Sequence, residues 1–434
     1  MKRTSIRPYV LTLCLGVAFA MLSLAGTQAR GSGPAAAPTG IIAYVRDWAQ
    51  IRLINADGTG DRELWTQPPS QSRYGDVREL AFRPDGQELA FSSSHEKAFS
   101  YYEADVYGIG LDGKGLHRLT NAPSLGELSR FPKCKVAVTV TNGSRDPLVA
   151  EIVVYVVGAS KPESVLVPPF GGIATVTFND VAVIPGALQP VMAAFGGRRW
   201  PGPPLRLVAG QMNKATMMLT GRGFEMMGAY RPVWSRDGKQ IAYRFGESAG
   251  VWLVSGQGEP GAGIGVQMGG EQLTQVAAFD WRTPGVRGGS LLFAHGYLID
   301  GEQDNSIYLT DEQGRSPIRV LRYDDSNEHI QQIRWLPDGS GFVFLRMEPL
   351  TFGEGANLCR FDGTTGRETQ LTHFRQEAVR DFAISPDGRW IVYERGQEIY
   401  SPWDKARPAL WIIGIDGRNE HRLVESGEMP AWGR

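Results

Sequence analysis

Six histidines in this chain have the chemistry to hold a metal or move a proton, but their spacing places none of them to do so. His95, His117, His295, His329, His373 and His421 stand one at a time, without H-x-H, H-E-x-x-H or C-x-x-C spacing. A ligand set would form only if separate loops brought His295, His329 and His373 together. Glu394 and Glu398 are spaced for paired acid and base work, yet their polar surroundings read as a solvated loop. No G-x-S-x-G nucleophile elbow is expected anywhere in the chain, and no hydrolase domain beside the repeats described below. No catalytic residue, metal or cofactor is therefore expected.

What remains is recognition. Trp48, Tyr101, Tyr102, Tyr230, Phe352, Tyr400 and Trp403 are candidate aromatic anchors, with Arg46, Arg231, Arg375 and Arg395 as charged companions. Aromatic side chains and arginine carry most of the binding energy at protein interfaces. These residues are far apart in sequence, so only the fold can bring them to one surface.

The 434 residues include 54 Gly and 27 Pro, with 42% hydrophobic content, which suits many short strands joined by tight turns. Lys and Arg number 45 against 46 Asp and Glu, so the basic footprint of a nucleic-acid binder is absent. A repeat organises the chain. Its clearest copies are Phe82-Arg-Pro-Asp85-Gly86, Trp234-Ser-Arg-Asp237-Gly238, Trp335-Leu-Pro-Asp338-Gly339 and Ile384-Ser-Pro-Asp387-Gly388. A strand-like stretch follows each, such as ELAFSS from Glu88 or WIVYER from Trp390. A third strand then leads to a second turn (Asp57-Gly58, Asp112-Gly113, Asp362-Gly363, Asp416-Gly417), and a short strand closes on Leu119-Thr120, Leu273-Thr274, Leu371-Thr372 or Leu423-Val424. Asp-Gly is expected to form two-residue hairpin turns with left-handed torsions. Four hairpin-connected strands make one propeller blade.

The two ends of the chain complete each other. PAWGR from Pro430 matches PVWSR from Pro232, a first strand broken off at its turn, and IAYVR from Ile42 supplies the continuation. With a degenerate unit around Phe279-Asp-Trp281, six units are counted. The expected fold is all-β: a six-bladed β-propeller closed by its N- and C-terminal strands, with a small β-sandwich inserted. The aromatics at the first-strand position (Phe82, Trp234, Trp335, Trp432) are expected in the core.

The pattern W-S-P-D-G-K-x-I-A-F followed by D-G-x-x-x-x-x-L-T resembles the TolB-type six-bladed propeller and its WD40-like repeat, over residues 40–121 and 226–434, with the propeller's two parts placed at 40–122 and 226–434. TolB carries an α/β domain before its propeller; here the first strand starts soon after the leader. The resemblance implies a protein-interaction module. Residues 123–225 have another texture: alternating Val136, Val138 and Val140, then EIVVYVV from Glu151 and TVTFNDV from Thr175. They read as a small β-sandwich. The run from Thr175 to Gly197 is similar to carboxypeptidase-regulatory, transthyretin-like domains.

In a blade both Asp-Gly turns fall at one end, so the loops between second and third strands and between blades collect at the other. The sandwich enters between blades, at this second end, which is read as the working face because function concentrates on irregular loops held by a rigid frame. Lys2, Arg3 and Arg7, the apolar run from Val10 and the exit Thr27-Gln28-Ala29 read as an export signal over residues 1–29, followed by a linker over 30–39. Its removal takes the net charge from −1 to −4, and the segment 131–222, with nine basic and four acidic side chains, is +5, leaving the rest at about −9. A disulfide between Cys134 and Cys359 is not favoured. The expected protein is periplasmic or secreted, with no membrane span in the mature chain, and non-enzymatic, binding a protein or peptide of the cell envelope. A carbohydrate or small ligand is the alternative, and a metal-dependent polysaccharide lyase or hydrolase a third.

Overall fold

The computed structural model describes residues 37–68, 77–96, 104–120, 128–186, 188–195, 198–221, 223–225, 228–245, 251–258, 266–268, 271–273, 276–281, 291–299, 302–311, 314–323, 329–347, 356–375, 377–397 and 407–434. The leader at 1–29 and all but the end of the linker lie outside them, as do Tyr101, Tyr102, Phe352, Tyr400 and Trp403. Every named element is a β-strand, and no described helix is long and apolar enough to cross a membrane.

The first sheet holds β1 (Ile41–Arg46), β2 (Gln50–Asn55) and β3 (Arg62–Thr66); the second runs β4 (Val77–Phe82), β5 (Glu88–Ser93), β6 (Asp105–Gly110), β7 (His117–Arg118). The inserted segment follows. Its strands are β8 (Lys133–Asn142), β9 (Glu151–Val156), β10 (Glu163–Leu166), β11 (Gly172–Ala182), β12 (Val191–Phe195), β13 (Arg198–Pro201), β14 (Met212–Leu219) and β15 (Phe224–Glu225). They form one sheet ordered β10-β9-β12-β13-β15 and another ordered β11-β8-β14. Val136, Val138 and Val140 from one sheet and Ile152, Val154 and Ala193 from the other share one core.

The chain then resumes its meanders. A third sheet holds β16 (Ala229–Trp234), β17 (Gln240–Phe245) and β18 (Val251–Ser255), followed by a separate hairpin of β19 (Val266–Met268) and β20 (Glu271–Leu273). Three four-stranded sheets follow: β21 (Val276–Trp281), β22 (Leu291–Ile299), β23 (Glu302–Thr310), β24 (Ile318–Tyr323); then β25 (His329–Trp335), β26 (Gly341–Met347), β27 (Ala356–Asp362), β28 (Arg367–Gln370); then β29 (Glu377–Ile384), β30 (Trp390–Gln397), β31 (Ala409–Gly414), β32 (His421–Val424). The last strand, β33 (Glu428–Gly433), pairs antiparallel with β1 through Ile42↔Trp432 and Ala43↔Ala431.

Consecutive sheets share apolar cores, so their inner strands are buried on both faces and read as continuous apolar runs. Ala43 and Ile51 meet Leu89 and Phe91 between the first and second sheets, and Ile42 and Trp432 meet Trp390 and Leu410 between the first and sixth. This is a β-propeller.

Two local readings are corrected. The Pro-Asp-Gly turns are longer than two residues. The Arg83 carbonyl accepts from the Gly86 amide at 2.8 Å, and the Arg83 amide donates to the Glu88 carbonyl at 2.8 Å. Only Gly86 is left-handed, at φ 70°. Asp85 contributes its side chain, accepting from the Gln87 amide at 3.0 Å, and Asp237, Asp338 and Asp387 do the same for Lys239, Ser340 and Arg389. Aspartate recurs as an Asx cap and not for left-handed torsions. In the third sheet, Leu273 lies on β20, which pairs with β19 and not with β18. Elsewhere the recurrent Leu-Thr pair caps a ladder. The Thr120 hydroxyl accepts from the Val106 amide and donates to Asp105, and Thr372 repeats the arrangement with Leu358 and Asn357. Cys134 and Cys359 are buried free thiols.

Candidate functional site

In each meander the first strand runs along the axis from the loop end to the Pro-Asp-Gly end, and each carries a bulge. Register slips occur at Ala43/Val45 opposite β33, Arg78/Ala81 in β4, Tyr230/Val233 in β16, Ile330/Ile333 in β25 and Val379/Phe382 in β29. A bulge leaves a backbone group without its ladder partner, and here a neighbouring sheet supplies one. The Met429 amide donates to Glu394 Oε2 at 3.0 Å, the Glu79 amide meets Met429 Sδ at 3.4 Å, and the Arg231 amide donates to Glu79 Oε2 at 2.5 Å. Met429, Glu79 and Arg231 all have positive φ, between 50° and 55°. Arg231 also pairs with Glu79 through Nε at 3.3 Å and donates to the Gln331 carbonyl at 2.8 Å. Side chain to bulge, sheet to sheet, the inner strands are clasped.

Buried carboxylates gather in the same layer. Glu394 and Glu428 are each 4% exposed. Burial pushes Glu394 up to about 8, with Glu428 and Asp381 adding to the rise. Burial likewise pushes Glu428 up to about 7, against the pull of Arg407 and Arg380, and Asp381 up to about 6, against Arg334 and Arg231. The solvated-loop reading of Glu394 is therefore corrected: β30 extends to Gln397 and turns Glu394 inward onto Met429. Glu398 lies outside the described residues. Among the described residues no three His, Cys, Asp or Glu side chains are placed to hold a metal ion.

Of the candidate contact residues, the structure brings Trp48, Tyr230 and Arg231 to the loop end of the axis. Asp47 and Trp48 form the β1–β2 turn with φ of 52° and 57°. The Trp48 carbonyl accepts from the Val77 amide at 3.0 Å, and the Arg78 guanidinium lies 5.4 Å from the indole centroid. The buried Trp48 Nε1 has no hydrogen-bond partner among the described residues. Asp47 faces Arg407 at 3.7 Å. Tyr230 is half-buried in β16 opposite Arg244. Arg395 is engaged elsewhere. Its guanidinium lies 4.2 Å from the Phe374 ring centroid and 4.6 Å from that of Trp411, and pairs with Glu377. Arg46 joins Arg52 and Tyr44 around Asp61, and burial with that carboxylate raises Tyr44 to about 12. Arg375 is exposed beyond β28.

The described histidines are accounted for locally. His95 contacts Ser93 Oγ at 2.8 Å and the Tyr107 ring at 4.4 Å; burial lowers it to about 4, keeping it neutral. His117 faces Glu88 at 3.4 Å, His421 lies beside the Trp390 ring, and His373 is exposed. The side chains of His295 and His329 are outside the described set. The expectation of no G-x-S-x-G spacing is corrected: residues 246–250 (GESAG) have it. Their flanking strands β17 and β18 pair antiparallel at Arg244↔Val251, whereas an elbow needs a strand leading into a helix.

The opposite end of the axis holds a cavity of about 390 Å3 lined by Phe82, Trp281, Trp335 and Trp432 with Arg83, Arg236 and three prolines. Trp432 and Trp234 are buried, while Phe82 and Trp335 are partly exposed. The first-strand aromatics therefore line a mouth as well as a core. Asp280 lies on its wall, accepting from the Trp281 and Trp335 amides at 2.9 and 2.6 Å, and burial raises it.

Glu79, Arg78, Asp381 and Glu428 were not among the sequence candidates. A signal exists: three residues before the first-strand aromatic, or its Ile384 counterpart, stand Met429, Glu79, Arg231, Gln332 and Asp381, a mostly polar column inside apolar strands.

Compared with known proteins, the sequence matches no protein-family model and no curated protein. Among solved structures, the chain is similar to TolB from Acinetobacter baumannii at 14% identity, covering 92% of this chain and 67% of that one, with a TM-score of 0.48. It is also similar to an oligogalacturonate lyase in complex with manganese (14% identity, 89% and 85% covered, TM-score 0.37), and to a chain of a nidogen/laminin complex (9% identity, 91% and 97% covered, TM-score 0.39).

Proposed function

We propose that the chain is an exported, non-enzymatic propeller of six blades, closed by β33 on β1. In this reading it binds a protein or peptide partner of the cell envelope at the loop end of the axis, beside the inserted transthyretin-like sandwich. The observation that carries this is the Asp47-Trp48 turn. Two consecutive non-glycine residues are held left-handed there, and such strain persists where the surroundings over-determine it, often at binding sites. The turn carries an indole with the Arg78 guanidinium against its ring, and Arg231 is held in place by Glu79 in the next sheet. Aromatic and arginine side chains on a rigid frame suit an interface hot spot. Periplasmic or secreted localisation follows from the leader-like first 29 residues.

A second reading has its own observation: the aromatic and arginine-lined cavity at the other mouth suits a carbohydrate or small ligand. A metal-dependent lyase or hydrolase would need a ligand set. Capture of envelope proteins by wild type and by Trp48→Ala separates these, together with metal analysis and a glycan array. A partner retained by wild type and lost in Trp48→Ala supports the proposal. Stoichiometric metal, or glycan binding blocked by Arg236→Glu, favours its rivals.

A further inference from the structure

Among the described residues, eight of the ten exposed large apolar side chains belong to the inserted segment, which is the minor part of the chain. Five of them lie at one corner: Leu148, Leu166, Phe170, Ile173 and Met218, between 59% and 74% exposed. Strand order explains the gathering. Leu148 follows the end of β8, Leu166 ends β10, Phe170 sits between β10 and β11, Ile173 begins β11, and Met218 is near the end of β14, which runs parallel to β8. Soluble proteins seldom leave so many large apolar side chains exposed at one end of a small module without a use for them.

The protrusion is built. Asn142, fully buried, donates from its side-chain nitrogen to the carbonyls of Val149 and Val167 and accepts from the Ser144 amide, tying together the two loops that bear Leu148 and Phe170. The Phe170 amide donates to the Ser144 carbonyl at 3.2 Å and the Gly171 amide to the Asn142 carbonyl at 2.7 Å. Phe170 itself is left-handed, at φ 61°. A strained phenylalanine clamped outward is a preorganised contact. Within the corner, Met218 stands six residues before β15 and Leu166 lies farthest from it in strand order. The chain returns to the propeller through β15, and β10 lies four strands away in that sheet, about 19 Å at ~4.8 Å per strand.

The outer face of the β11-β8-β14 sheet grades away from this corner in rows. Ile173, Thr141 and Met218 come first, then Thr175, Thr139 and Thr216, then Thr177, Ala137 and Lys214, with Lys135 beside Met212 beyond. Lys214 stands four residues from Met218, about 13 Å at ~3.3 Å per residue. An apolar tip backed by hydroxyl and then cationic rows suits an apolar end entering the interface with its cations toward anionic head groups. The segment is +5 while the remaining mature chain is about −9, so an anionic surface would draw this module in first.

We propose that this corner of the inserted module docks on an anionic lipid bilayer, with Leu148, Phe170 and Ile173 entering the interface and Lys135 and Lys214 facing the head groups. This surface is separate from the loop-end partner site and does not rest on it. The test is flotation of the full-length mature protein with vesicles of phosphatidylcholine, with and without one-third phosphatidylglycerol. Wild type is expected to bind the anionic vesicles about tenfold more tightly, and to release as salt is raised. Leu148→Asp with Phe170→Asp is expected to weaken binding at least about tenfold with thermal unfolding unchanged, and Lys135→Glu with Lys214→Glu to abolish the lipid preference. Three results would each overturn the proposal: no flotation of wild type with anionic vesicles, undiminished flotation of the aspartate variant, or a solution dimer dispersed by the same substitutions.

Discussion

The propeller turns polar side chains inward toward its axis, whereas the inserted module keeps an apolar interior and turns apolar side chains outward at one corner. Around the axis, bulges free backbone amides, and Glu394, Met429 and Glu79 each answer the bulge of the next sheet. Those contacts join one sheet to the next, so they act as fasteners between neighbouring sheets. In the module, one buried Asn142 ties two adjacent loops, and the benefit is local: a fixed protrusion. Buried polar groups are costly unless paired, and both regions meet that cost with hydrogen bonds. The difference lies in whether the bonds fasten distant strands or shape a surface.

The sharpest way to break the comparison is to remove Pro430–Arg434. Losing buried Trp432 alone costs about 3–5 kcal/mol, and β1 would lose its inner partner, so denaturant unfolding should show a propeller destabilised by at least that much and a module left intact. A single unchanged transition would deny the ring's dependence on its last strand. Asn142→Ala does the converse. It orphans two carbonyls and one amide, costing about 2–3 kcal/mol, and should lower only the module's transition.

A smaller effect concerns the axis and pH. Glu394 is raised from 4.5 to about 8. The folded state therefore holds a proton that the unfolded chain releases above its ordinary carboxylate range. Stability from this group is fully present below pH 4.5 and is lost as pH rises toward 8. Glu394→Gln keeps an acceptor for the Met429 amide and removes the titration. At pH 8.5 the variant should be more stable than wild type by about 1–3 kcal/mol, and at pH 4 about equal. Equal slopes of stability against pH in the two proteins would contradict a buried, protonated Glu394. Smallest is Arg395→Ala, which removes a guanidinium between two rings and its ion pair. A loss of about 1 kcal/mol is expected, with partner capture undiminished if the residue is structural.

Much of the frame was legible because it repeats. The Pro-Asp-Gly turns, the apolar second strands and the match of PAWGR to PVWSR mark strand positions by pattern alone, and the observed β33–β1 register places Trp432 opposite Ile42. The turn geometry was misjudged because Asp-Gly serves two kinds of turn, and only the backbone bonds around Arg83 and Gly86 tell them apart. Glu394 was misplaced because a glutamate near the end of a strand looks the same in sequence whether it turns to water or to the axis. Arg395 illustrates the opposite difficulty: a charged residue on β30 whose partners, Phe374 and Trp411, come from the β28–β29 connection and from β31. Candidate contacts at Trp48 and Arg231 share the loop end because the β1–β2 turn and the start of the first strand β16 fall at the same end of their meanders, a placement that follows from strand direction and not from sequence proximity.

The account depends most on the last strand sealing the first sheet. Amide hydrogen exchange at Ile42–Val45, compared between the intact mature chain and one ending at Gly427, tests it directly. Strong protection in the intact chain and its loss in the shortened one is the expected result. Equal protection in both would mean that β1 does not need β33, and the sealed ring would be wrong.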